Sequence, residues 1–378
     1  MSFSRRSAYD ATPNELARAL AERRARGERV IDLTESNPTR AGIPYETTIL
    51  AALASEASMR YEPEPLGLAS ARAVVAREFD VDAARVMLTA STSEAYSFLF
   101  ALFCDPGDEV LAPAPSYPLF AELADLAGVK LVPYRLRYDG AWHVDLASLR
   151  AGKSERSRAV LVVSPNNPTG SRLARAELAA MEELDLPVIC DEVFASYTFR
   201  EGRDSVGCAA KEATRGLVFS LGGLSKEAAL PQMKLAWTIV GGPAALALPA
   251  IERLAWIADA YLSLATPVQH ALGALVACGR SSRRAIAART RRNLDALDRL
   301  VAGTAATRLD LEAGWYATLR VPRVRSEMET CLLALDRGVY VHPGSFFGFE
   351  DEAYLVVSLL APEKDFEEGA ALLVDVIR

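Results

Sequence analysis

Ala159-Val160-Leu161-Val162-Val163 runs directly into Ser164-Pro165-Asn166-Asn167-Pro168-Thr169-Gly170, and the fold is decided by how this stretch is read. An apolar run dominated by valine offers no polar face to water, which marks a strand buried on both sides. The Pro- and Asn-rich segment behind it cannot extend a strand or a helix and reads as a turn. The same unit recurs up and down the chain. Val86–Thr89, Glu109–Ala112, Pro187–Asp191, Leu217–Ser220 and Ala236–Val240 are short apolar runs bounded by turn residues, and helix-like stretches at 67–79, 92–104, 116–127 and 173–184 alternate with them. Such alternation predicts an α/β fold with a mainly parallel central sheet and helices on both faces.

Outside this block the pattern changes. Thr12-Pro13-Asn14-Glu15 predicts a helix capped by Thr12, with Pro13 in its first turn and Glu15 closing a capping box. A short strand, Val30–Leu33, and a loop, Glu35-Ser36-Asn37-Pro38-Thr39, come next. A long Ala-, Leu- and Arg-rich helical region runs from about Thr266 to Leu300. Strand-like Trp315–Val321 and Tyr354–Leu359 then flank helical pieces near 324–336 and 363–377, which reads as a smaller α+β domain. The expected organisation is an N-terminal arm over 1–40 packing with the small domain, a large domain over 41–270 and a small C-terminal domain over 271–378.

Length and charge narrow the function. A chain of 378 residues is too long for one ordinary core and suits a large domain plus a smaller one. A net charge of −7 gives no reason to bind nucleic acid or acidic membranes. No apolar run reaches the roughly 18 residues of a membrane helix, and no apolar stretch follows Arg5 and Arg6 as a secretory signal requires. The five cysteines are far apart and odd in number, which fits reduced thiols and a cytoplasmic setting. The three histidines, His143, His270 and His342, have no metal-like spacing.

In open α/β sheets ligands sit beyond the carboxyl ends of the strands, and the polar residues of interest fall there. Val86–Thr89 leads into Ala90-Ser91-Thr92-Ser93-Glu94, which opens a helix. Small hydroxyl residues at a helix N-terminus suit a phosphate, but read alone, simple N-capping is the better account of them. Pro187–Cys190 ends in Asp191-Glu192, which also reads as an ordinary helix cap. Leu217–Ser220 precedes a glycine-rich bend, Leu221-Gly222-Gly223-Leu224-Ser225, that delivers Lys226. Taken together, a lysine, an acid, an amide and a ring of N–H groups on successive strand ends are what a pyridoxal 5′-phosphate (PLP) site requires.

Asn166-Asn167-Pro168-Thr169-Gly170, Asp191-Glu192 and Ser225-Lys226 resemble the signatures of the fold-type I (class I/II) PLP-dependent aminotransferases. The resemblance extends to Tyr61-Glu62-Pro63-Glu64-Pro65-Leu66-Gly67 and to Pro343-Gly344-Ser345. It implies a three-layer PLP-transferase fold and an amino group moved between an amino donor and an oxo acceptor. By resemblance, Lys226 forms the internal aldimine and carries the proton, Asp191 pairs with the pyridine nitrogen, and Asn167 bonds the ring's phenolic oxygen. Tyr117 stacks on the ring, while Thr92, Ser93 and Lys234 hold the phosphate. Tyr61 reaches the phosphate of a neighbouring subunit, which implies a homodimer with shared active sites. Ser36 and Asn37 lie beside the substrate.

The sequence departs from the family pattern at four positions. The tyrosine expected three residues after the aspartate is Phe194, and the serine expected three residues before the lysine is Gly223. The phosphate-binding arginine is Lys234, which keeps the charge without the bidentate fork. The arginine that grips a substrate α-carboxylate falls, counted without gaps from Gly344-Ser345 through Tyr354, on Val356. Valine cannot bind a carboxylate, so either another residue such as Arg320 substitutes or the donor is not an ordinary α-amino acid. A PLP-dependent lyase or decarboxylase on the same fold is the alternative reaction. A binding protein that has lost catalysis is a third reading, opposed by Lys226, Asp191 and Asn167. A nucleotide-binding loop at Gly152-Lys153-Ser154 lacks its first glycine, Ala147 standing there, and has no strand before it.

Overall fold

The structure, a computed structural model, describes residues 3–8, 12–200, 204–351 and 353–378. Its first long helix is Glu15–Ala25, and the cap is Asn14 rather than Thr12: the Asn14 side-chain oxygen accepts the Ala17 N–H at 2.8 Å. Asparagine caps at least as well as threonine, so Pro13 stays ahead of the helix instead of inside its first turn. Strand β1 (Ile31–Asp32) follows.

Among the described residues eight strands form the large sheet. They are β2 (Val86–Thr89), β3 (Glu109–Ala114), β4 (Lys130–Tyr138), β5 (Trp142–Val144), β6 (Ser157–Val163), β7 (Val188–Asp191), β8 (Val218–Gly223) and β9 (Ala236–Gly241). Their spatial order is β2-β9-β8-β7-β6-β3-β4-β5. The run β8-β7-β6-β3-β4 is parallel throughout, while β9 is antiparallel to both its neighbours and β5 is antiparallel to β4. The valine-rich stretch that decided the fold is β6. Its side chains alternate between two cores, Ala159, Leu161 and Val163 on one face of the sheet and Val160 and Val162 on the other. Each fully buried Val or Leu contributes about 1.5–3 kcal/mol. That is why the run has no polar position.

Two elements go beyond the alternation read from sequence. Strands β4 and β5 form an antiparallel edge whose sequence is broken up by Pro133 and by Lys130, Arg135 and Arg137. The helix Ala244–Asp259 contains Pro249, which obscures its helical pattern.

The second sheet contains β10 (Thr307–Arg308), β11 (Tyr316–Arg320), β13 (His342–Pro343) and β14 (Tyr354–Ser358), antiparallel in the order β10-β11-β14-β13; β12 (Val339–Tyr340) pairs with β1 instead. Leu355, Val357 and Leu359 enter a core shared with Leu16, Leu20, Ile31, Leu33 and Phe366, so both ends of the chain build it. The 36-residue helix Thr266–Val301 serves both cores. Val268, Leu272 and Val276 pack with the large sheet, and Leu294, Leu297 and Val301 with the small one. Gly279, midway, passes so close to the backbone beside Lys226 that an added Cβ would lie 2.6 Å from Ala228 Cα. Among the described residues no helix is long and apolar enough to cross a membrane, and all five cysteines are free thiols.

Candidate active site

Parallel strands present their carboxyl ends on one side of a sheet. Here β6, β7 and β8 deliver Asn167, Asp191 and Lys226 to a single cavity of about 310 Å³. Ser36, Thr92, Ser93, Tyr117 and Lys234 line it as well. Two residues singled out in the sequence do not. Asn37 turns its side-chain oxygen back on its own loop, accepting from Thr39 N at 3.0 Å and Thr39 Oγ1 at 2.7 Å. Tyr61 is 77% exposed on a separate hollow with Leu262 and Phe98.

Lys226 sits in the single turn Leu224–Glu227 behind the Gly222–Gly223 bend. Its Nζ lies 4.7 Å from the centroid of the Trp315 ring and 5.4 Å from that of Phe194. Burial pushes its pKa down to about 8, against the attraction of Asp191. Asp191 is buried at the end of β7. Its Oδ2 accepts the Tyr96 hydroxyl at 3.0 Å and its Oδ1 accepts the Val193 N–H at 3.1 Å. Burial raises its pKa to about 6, and the hydrogen bonds of Val193 and Tyr96 and the charge of Lys226 pull the other way. The neighbouring acid Glu192 points through the sheet to the far side, where Ala209 N–H and Ser220 Oγ hold it at 2.6 and 2.8 Å. Of the Asp191-Glu192 pair, only Asp191 reaches the cavity.

The opposite end of the cavity is the N-terminus of helix Thr92–Phe103. Ser91 Oγ accepts Glu94 N at 3.2 Å, and Glu94 Oε2 accepts Ala90 N at 2.7 Å. Capping is therefore done by Ser91 and Glu94. Thr92 and Ser93, whose N–H groups a first helical turn leaves without internal partners, line the cavity, as does Lys234. The capping account therefore holds for Ser91 and Glu94, while Thr92 and Ser93 are left in the cavity lining.

Tyr316 is a polar lining residue that the sequence did not single out. It lies on β11, and which side of a strand faces a site is settled only once the strand has its neighbours. Its hydroxyl approaches the side chains of Ser36 and Asn167; burial raises its pKa to about 12, and those two groups draw it back. Phe194 packs edge-on against Trp315 and Tyr316 at 5.3 and 6.1 Å. Val356 is 1% exposed and pairs with Thr318 on β11 and His342 on β13. Leu355 and Val357 face the small core, so the pleat turns Val356 to the other face, behind the lining rather than in it. Arg320, at the end of β11, is exposed and does not line the cavity.

The residues present fit pyridoxal 5′-phosphate. Asn167 is 5% exposed, and its Oδ1 has no hydrogen-bond partner among the described residues. An open amide oxygen at a cavity wall can accept a ligand N–H or O–H, and the same amide turned over would offer its NH2 to a ligand oxygen. A buried carboxylate, a partly buried lysine and a helix N-terminus with a cation complete the set of groups that the ring, the aldehyde and the phosphate require.

The fold is that of solved aminotransferases. An alanine aminotransferase from Pyrococcus furiosus superposes with a TM-score of 0.88 over 100% of this chain and 99% of its own, at 23% identity. An aspartate aminotransferase variant from Thermus thermophilus gives 0.85 over 100% of both chains, at 22% identity. In sequence, an alanine aminotransferase from Mycobacterium tuberculosis is 30% identical over 262 residues, 66% of this chain and 60% of that relative's length. A glutamate-pyruvate aminotransferase from Escherichia coli is 27% identical over 258 residues, 65% of this chain and 63% of the relative. The aligned stretch thus spans about 60% of the curated relatives. Class I and II aminotransferases of this fold use pyridoxal 5′-phosphate. The family model for aminotransferase class I and II matches residues 28–371, and the chain belongs to that family.

Proposed function

We propose that this chain is a PLP-dependent aminotransferase that moves an amino group between a small amino donor and an oxo acceptor through Lys226, with unusual substrate recognition. The observation that carries the reading is the meeting, in one cavity, of a partly buried lysine lowered to about 8 with a buried carboxylate. When bound, PLP supplies an electron sink and an aldehyde carbon for amine exchange. Lys226 would hold it covalently and carry the proton to and from the donor's α-carbon. A general base works best with a pKa near the operating pH, and about 8 suits that task. Asp191, fixed by Tyr96 and Val193, would stand against the pyridine nitrogen. Asn167 would take the ring oxygen and Tyr117 the ring face, and the Thr92 and Ser93 N–H groups with Lys234 would take the phosphate.

Tyr61 would reach the phosphate site of a second copy, giving a homodimer with shared active sites. Its 77% exposure and that of Tyr261 at 66%, which packs on Phe98 beside the Tyr61 hollow, support a covered surface there. The free thiols fit a reducing, cytoplasmic setting.

Substrate choice would turn on Val356. With Lys226 and Lys234 assigned to the cofactor, the lining offers the donor hydroxyls and amides, from Ser36, Tyr117, Tyr316 and Asn167, and no guanidinium. A donor whose carboxylate is absent, distant or masked suits such a wall. The test is a screen of amines and amino acids against the holoenzyme, following conversion of the bound cofactor to its amine form. Clean conversion by some donor supports transamination; release of carbon dioxide or an eliminated fragment, with the cofactor unchanged, would replace it with a lyase or decarboxylase.

A further inference from the structure

Phe194 faces Lys226 with a bare ring where the family pattern has a phenol, so the ring-oxygen side of the site lacks one donor. The structure brings another phenol to the same place from a different domain. Tyr316 lines the cavity, its ring perpendicular to that of Phe194 at 6.1 Å, and its hydroxyl approaches Asn167, the residue that would hold the ring oxygen.

The position of Tyr316 is fixed from behind. It pairs with Ser358 across β11 and β14. Ser358 in turn clamps the substrate-side loop, its Oγ donating to the Glu35 carbonyl and its N–H to the Leu33 carbonyl, each at 2.6 Å. Ser36 on that loop is the second partner of the Tyr316 hydroxyl. A phenol with an acceptor lone pair turned to Ser36 or Asn167 keeps its own proton free to donate. The titratable groups around it are Tyr117 and Glu35, and both oppose loss of that proton. At neutral pH the hydroxyl is a donor.

We infer that Tyr316, together with Asn167, donates to the phenolic oxygen of the bound cofactor and stands in for the hydroxyl that Phe194 lacks. The inference rests on the PLP reading above. Its consequence is spectroscopic: a donor at that oxygen favours the form in which the neighbouring imine has lost its proton, so removing the donor raises the pH at which the visible band changes.

The experiment is a spectral pH titration of four holoproteins: wild type, Tyr316→Phe, Phe194→Tyr and the double variant. Tyr316→Phe should raise the midpoint by about 1–2 pH units, the size of a hydrogen bond to a charged oxygen. Phe194→Tyr alone should move it by less than about 0.3 unit, because the oxygen already has its donor, and the double variant should return close to wild type. An unmoved midpoint in Tyr316→Phe overturns the inference. So does a fall of a full unit or more in Phe194→Tyr, which needs no folding of the Tyr316 variant. A wild type that takes up no cofactor overturns the PLP reading itself, a distinguishable failure.

Discussion

The two walls of the cavity differ in kind. The wall built from the ends of β6, β7 and β8 is charged. Asp191 is buried and Lys226 partly buried, and desolvation raises the carboxyl to about 6 and lowers the amine to about 8. The wall built from β11, β13 and β14 presents Tyr316 and, behind it, Thr318 and Val356. Its one arginine, Arg320, lies exposed at the strand end, and burial drives His342, beside Val356, toward its neutral form. A buried charge is tolerated where a partner of opposite sign is supplied and is costly otherwise. The first wall supplies such partners for a cofactor. The second, among the described residues, presents none for a carboxylate.

The largest expected effect lies in the charged wall. Lys226→Ala should cost at least about a thousandfold in amine transfer, since on the proposed reading both covalent attachment and proton transfer would go through Nζ. Borohydride should no longer fix the cofactor to the protein. Fixation at some other lysine in that variant would move the reactive centre away from β8.

Asp191→Asn should cost roughly a hundred- to several-thousandfold, the ~3–5 kcal/mol of a broken buried pair. Near-native turnover would remove Asp191 from its role. The same variant tests the burial argument without the cofactor. In the cofactor-free wild type the folded pKa of about 6 lies above the unfolded value near 4, so the folded state holds this proton more tightly. That stabilisation is complete below pH ~4 and is lost as pH rises through 6. The melting temperature of Asp191→Asn minus that of wild type should therefore climb between pH ~4 and ~6, by the equivalent of up to about 3 kcal/mol. A flat difference would mean that Asp191 is better hydrated than its burial implies.

The contrast between the walls also governs how far the sequence could be read. The central strands were legible because a strand buried on both faces must be apolar at every position, as Val160 to Val163 are. Asp191, Asn167 and Lys226 were legible because each ends such a strand. The β4–β5 edge was not, because one partly exposed strand can carry Pro133, Arg135 and Arg137 at little cost. Tyr316 had no signal of its own: residue parity on β11 acquires meaning only from its pairing with β14. Nor could sequence show Tyr96 reaching Asp191 from 95 residues away. What a strand end carries is local information, whereas what a wall from another domain presents is not.

The uncharged wall gives the next effect in size. Without a charge-assisted pair worth about 1.5–3 kcal/mol, aspartate and glutamate should be roughly ten- to a hundredfold poorer donors than an amine of similar shape lacking the α-carboxylate. The measurement is kcat/KM across paired donors. Efficient turnover of plain aspartate or glutamate would erase the contrast, and would mean that Arg320 or another cation moves in to hold the carboxylate. Val356→Arg is a one-sided test, since that position is closed in by Thr318 and His342.

The smallest effect separates the walls by a change that touches neither lining. Gly279 lies mid-way along the helix Thr266–Val301, where alanine would ordinarily be favoured by about 1 kcal/mol. An added Cβ there would meet Ala228 Cα at 2.6 Å and its carbonyl oxygen at 3.0 Å. Backbone cannot swing aside as a side chain can, so the helix or the Lys226 turn must shift. Overpacking of this kind costs about 1–3 kcal/mol and outweighs the gain in helix propensity. Gly279→Ala should therefore lower the unfolding free energy by up to about 2 kcal/mol net, read from urea midpoints at unchanged slope. Ala228 is two residues from Lys226, so cofactor affinity should fall with it. The ratio of activities toward amine and amino-acid donors should not move, because β11 and β14 do not rest on Gly279. A variant as stable as wild type would show that the helix does not fix the charged wall from behind. A variant with altered donor preference would show that the two walls are mechanically one.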